Sequence, residues 1–134
     1  MSAAAEEVPV RIRVLIADDH RLFAEALHAI LSGDERFEIV GYAADGREAV
    51  ELAARLDPDV TLMDISMPIM DGVEATRQIR ERNPHACVVM LTGSDADEDI
   101  ARSRAAGAAA YVTKDQIASE LIDAIVRLGS RPLS

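Results

Sequence analysis

Asp64 closes the apolar run Val60-Thr61-Leu62-Met63 and opens the segment Asp64-Ile65-Ser66-Met67-Pro68-Ile69-Met70-Asp71-Gly72. Asp18 and Asp19 close another apolar run, Val14-Leu15-Ile16-Ala17. Carboxylates brought to one edge of a sheet repel one another unless a cation neutralises them or one takes up a proton. Mg2+ suits such a group, since it demands oxygen ligands at about 2.0–2.1 Å and is commonly held by one or two carboxylates together with a phosphate. Mn2+ is the alternative ion for an oxygen-rich site. No cluster of thiols or imidazoles is present to favour zinc. A carboxylate also attacks phosphorus to form an acyl phosphate when the developing charge is stabilised, which makes Asp64 the candidate nucleophile. Lys114 supplies a compact positive charge and Thr92 a hydroxyl for the phosphoryl oxygens, so positioning and electrostatics carry the reaction.

These residues must be held by alternating elements. Val10 to Ala17 reads as a strand, and Arg21 to Leu31 as a helix with Leu22, Phe23, Ala26, Leu27, Ile30 and Leu31 on one face. Phe37 to Ala43 and Arg47 to Leu56 repeat the pair, with Asp45 as cap and Ala49, Val50, Ala53 and Leu56 inward. Asp57-Pro58 ends that helix, because the residue before proline is pushed out of the α region. Val60 to Met63, Gly72 to Arg82, Ala86 to Leu91 and Asp95 to Ala106 continue the alternation. Ala109 to Val112 is a short fifth strand, and Ile117 to Leu128 a last helix capped by Asp115, with Ile117, Leu121, Ala124, Ile125 and Leu128 inward. Five such pairs predict an α/β fold: a five-stranded parallel sheet, doubly wound as (βα)5 in a flavodoxin-like three-layer sandwich. Ligands of such sheets bind beyond the carboxyl ends of the strands, where Asp18, Asp19, Asp64, Thr92 and Lys114 all fall.

The 134-residue length predicts one domain. Residues 1–9 read as a flexible tail, 10–128 as the domain, and 129–134 as a C-terminal tail or the stub of a linker. A net charge of -10 and 3% aromatic content argue against nucleic-acid binding by this chain alone. No apolar stretch approaches the roughly 20 residues that cross a bilayer, and Met1 to Glu7 lacks the basic start and apolar block of a secretory signal. Cys87, the single cysteine, is read as a small buried side chain, and the chain as cytoplasmic.

Four motifs in order, Ala17-Asp18-Asp19-His20, Asp64 through Gly72, Leu91-Thr92-Gly93 and Tyr111-Val112-Thr113-Lys114, resemble the receiver domain of two-component response regulators over residues 10 to 128. The resemblance implies Asp64 as phosphoacceptor from a sensor histidine kinase's phosphohistidine. It further implies Asp19 as direct metal ligand, Asp18 as a largely water-mediated one, and the backbone carbonyl of Ser66 as another. Thr92 and Tyr111 would form the switch, read out on the surface of the fourth helix, fifth strand and fifth helix, with roughly -2 of new charge as its trigger. Asp18 to Phe23 and Ala110 to Asp115 resemble the subfamily whose receivers precede a LuxR-type helix-turn-helix domain. DNA would then be a partner of the natural protein through that domain, and a phosphorylation-dependent homodimer is a further expectation carried by the resemblance. Ser66 and Ser94 stand where the family sets dephosphorylation rate. Asp115 stands where many members have proline, often after a cis bond.

Plainer readings stand beside these. Asp71 is read as the cap of the Gly72 helix, and Asp95, Asp97, Glu98 and Asp99 as acids favoured in a first helical turn. His20 is not taken as a ligand, since Mg2+ prefers oxygen. His28 and His85 are read as solvated and Phe23 as core. A Mg2+-dependent phosphohydrolase is disfavoured because Ser66, not an acid, stands two residues past Asp64. A stand-alone adaptor, dependent on phosphorylation or not, is the other alternative.

Overall fold

A computed structural model describes residues 11–93 and 96–129, so Val10, Ser94, Asp95 and the two ends lie outside the described residues. Strand β1 (Ile12–Ala17), helix α1 (Arg21–Ser32), β2 (Phe37–Ala43), α2 (Gly46–Leu56), β3 (Val60–Asp64), α3 (Gly72–Arg82), β4 (Val88–Thr92), α4 (Asp97–Ala106) and β5 (Ala110–Thr113) follow in order. A 3-10 turn (Lys114–Gln116), a π-helical turn (Ile117–Leu121) and α5 (Ile122–Gly129) complete the chain's helical end. All strand pairings are parallel, in the order β2-β1-β3-β4-β5. The chain thus runs outward to β2 and then back past β1, which leaves a crevice at the carboxyl ends of β1 and β3.

Alternation along each strand sends successive side chains to opposite faces. Val14, Ile16, Leu62, Val89, Leu91 and Val112 pack with Leu27 and Leu31 of α1 and with Leu121 and Ile125. Met63, Val88 and Met90 pack on the other face with Ala49 and Val50 of α2 and Ala75 and Ile79 of α3. Near-continuous burial of β1, β3 and β4 explains why these runs are mostly apolar, with half-buried Arg13 at the start of β1 as the basic exception.

The caps are local chemistry. Asp45 accepts from Glu48 N at 2.8 Å while Glu48 accepts from Ala44 N at 2.8 Å, a variant of the capping box in which the glutamate reaches the residue before the cap of α2. Asp71 caps α3 by accepting from Glu74 N at 2.8 Å. Asp57 ends α2 before Pro58, as expected, but through the left-handed region, φ 46°, and not through extended backbone.

Several expectations are corrected. Leu22 is 82% exposed and Ala26 is also exposed. The inward face of α1 is instead Phe23, Ala24, Leu27, Ile30 and Leu31, a stripe rotated toward β1. Asp115 caps nothing: it lies inside the 3-10 turn, and Gln116 precedes the π turn without a side-chain cap. The helical end begins three residues earlier than expected, as a 3-10 turn that includes Lys114 itself. No cis peptide bond occurs among the described residues. Leu128 and Cys87 are half-buried at the margin of the first core layer.

Candidate functional site

Register decides which side chains meet. Ala17 pairs with Met63, so Asp18 continues β1 at the level of Asp64, its backbone N donating to Ala43 O at 3.0 Å. Asp64 pairs with Leu91, and Thr92 with Thr113, so Thr92 and Lys114 emerge one step beyond on the neighbouring strands. Asp18, Asp64 and Thr92 are buried; Asp19 is exposed at the rim. Lys114 Nζ lies 3.3 Å from Asp18 Oδ2 and 3.4 Å from Asp64 Oδ1.

Gly72 lets the β3–α3 loop close on this point. A Cβ there would fall 2.1 Å from the carbonyl oxygen of Asp64, and Gly72 N donates to Ile65 O at 2.9 Å. Gly46 does the same from α2, where a Cβ would fall 2.1 Å from Met70 O. Between them Ile69 adopts φ 70°, and Met70 N donates to Pro68 O at 2.7 Å, a γ-turn geometry that is rare and strained for a β-branched residue.

The electrostatics follow from burial. Desolvation, and then the neighbouring Asp18 charge, push the Asp64 carboxyl up to about 6, against the pull of Lys114 and the Ser66 N–H. Asp18 Oδ2 and Asp64 Oδ2 are buried with no hydrogen-bond partner. Buried carboxylate oxygens in that state are short of positive charge, and Lys114 alone is shared between two acids. One ligand atom from each of Asp18, Asp19, His20 and Asp64 lies within 4.8 Å of the others. Converging oxygen donors, two of them buried without a hydrogen bond, fit a hard divalent cation such as Mg2+.

Two participants were not assigned from sequence. His20 Nδ1 lies 3.2 Å from Asp18 Oδ1, 3.3 Å from Asp19 Oδ1 and 3.4 Å from Asp64 Oδ2. Phe23 is core at its base, yet its ring carries Lys114 Nζ 4.3 Å from the centroid. The three- and four-residue spacing that marked Phe23 as inward was the only signal for that contact. His85 is exposed, whereas His28 is exposed but stacked on Tyr42 and hydrogen-bonded to its hydroxyl.

Tyr111 is half-buried against the second core layer, paired with Met90. Strand alternation gives Thr92 the same face as Met90, so Thr92 and Tyr111 are diagonal neighbours on one side of the sheet. Tyr111 also lines a cavity of about 250 Å³ beneath α4. Ser66 is exposed in the loop after Asp64, and Ser94 lies outside the described residues.

A parallel five-stranded sheet with a buried acid pair and an inward lysine at its carboxyl edge defines a signal-receiver module. The chain belongs to the response regulator receiver domain family, whose model matches residues 14–126. It is 41% identical over 115 residues to the transcriptional regulatory protein DegU of Brevibacillus brevis, covering 86% of this chain and 49% of that one. Among solved structures, a LuxR-family two-component response regulator from Aurantimonas sp. SI85-9A1 superposes with TM-score 0.85 at 31% identity, covering 89% of this chain and 85% of that one. The CheX-CheY-BeF3-Mg+2 complex from Borrelia burgdorferi gives TM-score 0.83 at 27% identity, covering 91% and 92%. The chain spans about half the length of the curated relatives it matches. Its role is that of a receiver in a two-component phosphorelay, of the type found in LuxR-family regulators. No helix among the described residues is long and apolar enough to cross a membrane.

Proposed function

We propose that this receiver takes a phosphoryl group from the phosphohistidine of a sensor histidine kinase onto Asp64. The observation that carries the reading is a buried Asp64 carboxylate with one unpartnered oxygen and Lys114 Nζ 3.4 Å from the other. A carboxylate oxygen attacks phosphorus in line, the P–N bond breaks, and its electron pair returns to the imidazole of the donor. Lys114 neutralises one phosphoryl oxygen, and the Thr92 hydroxyl donates to another. Asp19, Asp18, Asp64 and the Ser66 carbonyl would hold Mg2+, or Mn2+ in its stead, which supplies charge neutralisation to the transferring group. Hydrolysis of the acyl phosphate resets the module, and catalysis beyond that cycle is no part of this reading.

The signal leaves through α4, β5 and α5. Helix α4 buries only Ser103 and Ala106, and Ser103 spends its hydroxyl on Asp99 O at 2.8 Å, so little packing resists a shift. Thr92 turning toward a phosphoryl oxygen vacates volume beside Tyr111, whose ring then moves inward behind it. The receiver unit is taken as residues 10–128 together with Gly129, which ends α5 and is buried, with 1–9 and 130–134 as tails or linker. A regulator of the DegU kind would pass the change to a helix-turn-helix domain and so to DNA, with a phosphorylation-dependent homodimer as the active form. In this scheme the chain works in the cytoplasm.

The test is incubation with Mg2+ and a small phosphodonor, followed by intact mass and peptide mapping. One added phosphoryl group on Asp64, absent from Asp64→Asn, is expected. Unaltered labelling of Asp64→Asn removes the assignment, continuous turnover of donor without a labelled chain points to a hydrolase, and no reaction points to an adaptor.

A further inference from the structure

His20 occupies the N-cap of α1 with extended backbone, φ -88° and ψ 99°, yet makes no side-chain cap bond. Residues favoured at that position turn an oxygen back to the free N–H groups of the helix. Here the imidazole turns the other way. His20 N donates to Asp18 Oδ1 at 2.8 Å, which anchors the backbone against the acid, and Nδ1 then lies 3.2–3.4 Å from oxygens of Asp18, Asp19 and Asp64. Those separations have a meaning. Bonds of about 2.0–2.1 Å put neighbouring ligand atoms about 3.3 Å apart around a tetrahedral ion and about 2.9 Å around an octahedral one. The nitrogen thus stands near tetrahedral ligand spacing from each of three carboxylates, and the four atoms, now within 4.8 Å of one another, need only draw together to enclose an ion.

We propose that His20 Nδ1 becomes a direct ligand when this acid site holds a borderline divalent ion such as Co2+ or Zn2+, and stays out of the shell when it holds Mg2+. The proposal rests on the reading of Asp18, Asp19 and Asp64 as a cation site, for which the buried Oδ2 atoms of Asp18 and Asp64, which make no hydrogen bond among the described residues and meet Lys114 at 3.3 Å and His20 at 3.4 Å respectively, are the independent sign. Imidazole suits Co2+ and Zn2+, whereas Mg2+ prefers oxygen and keeps its waters. One site thus takes two classes of cation through two ligand sets. The histidine side chain is 62% exposed, so it swings in or out without disturbing the core.

Calorimetric titration of the whole 134-residue chain with Mg2+ and with Co2+ tests this on wild type, His20→Ala, His20→Gln and Asp64→Asn. His20→Ala and His20→Gln should each lose about tenfold or more in Co2+ affinity while Mg2+ affinity moves by less than about threefold. Zn2+ should shift the Nδ1 resonance of His20 in nitrogen NMR, and Mg2+ should not. If both affinities change together, the imidazole is only an internal counter-ion, and if neither changes it is a bystander; either result overturns the proposal. A Mg2+ affinity that is absent in wild type, or untouched in Asp64→Asn, sinks the acid-site reading and the proposal with it, whereas intact Mg2+ binding with Co2+ affinity indifferent to His20 sinks the proposal alone.

Discussion

Lys114 holds its ammonium 4.3 Å from the centroid of the Phe23 ring while reaching Asp18 and Asp64 at 3.3 and 3.4 Å. The ring is a platform from α1 that aims a flexible four-carbon side chain from the end of β5, at the far edge of the sheet, and such a contact is worth about 0.5–2 kcal/mol. Phe23→Leu keeps the apolar base but removes the π face. Labelling by a small phosphodonor should slow several-fold, by less than in Lys114→Ala, with the same final extent. A Phe23→Leu time course identical to wild type would show that the acids alone orient the lysine.

Lys114→Ala should leave some labelling, because Asp64 and the cation-binding acids remain, but uncouple it from the α4–β5–α5 surface. Amide hydrogen exchange in α4, compared with and without phosphodonor, reads this directly. Asp19→Asn should instead weaken Mg2+ binding, seen as a rightward shift in a Mg2+ titration of labelling rate.

The raised Asp64 pKa predicts a pH dependence of stability in the metal-free chain. With the folded value up to about 6 and the ordinary value 3.8, the folded state binds more protons than the unfolded state in between. Stability from this group is therefore whole below about pH 4 and is lost as pH rises through about 6. Denaturant melts without Mg2+ should fall across that window. Asp64→Asn should flatten the slope and be more stable than wild type at pH 7, and added Mg2+ should stabilise wild type far more than the variant. A wild-type profile that rises from pH 4 to 6 in step with Asp64→Asn contradicts the burial argument.

Ile69 sits at φ 70° with 79% of its surface exposed, so its strain is not offset by packing. Ile69→Gly should stabilise the chain by roughly 1 kcal/mol, the relief of strain exceeding the added freedom of the unfolded chain. Chemical denaturation checks the sign.

Gly72→Ala should act oppositely. Its methyl would meet the Asp64 carbonyl oxygen at 2.1 Å, a backbone atom that cannot swing away. A loss of about 3 kcal/mol or more is expected, together with slower labelling, because the loop that shapes the site must open. A neutral Gly72→Ala melt would mean the loop has slack that this packing does not suggest.

Much of this was legible in the residues themselves. The run Val88 to Thr92 is apolar because both its faces are covered, and Asp45 and Asp71 cap helices because each stands three residues before a glutamate whose N–H it accepts. Leu22 and Ala26 misled because the apolar residues of α1 spread beyond one stripe, and only docking against the sheet selects which of them turn inward. Asp115 misled because it is a good cap by type, in a segment whose winding is set by where Lys114 must point.

Strand and helix periods, and acids standing where apolar runs stop, determined by themselves that this protein is a doubly wound sheet with carboxylates at one edge. Both properties are local, since side-chain alternation and capping depend on near neighbours along the chain. Tertiary structure alone decided that His20 faces three carboxylates and that Phe23 carries Lys114. The His20–Asp64 and Phe23–Lys114 contacts join residues from separate elements, and strand register and helix rotation, not sequence spacing, bring their atoms within bonding range.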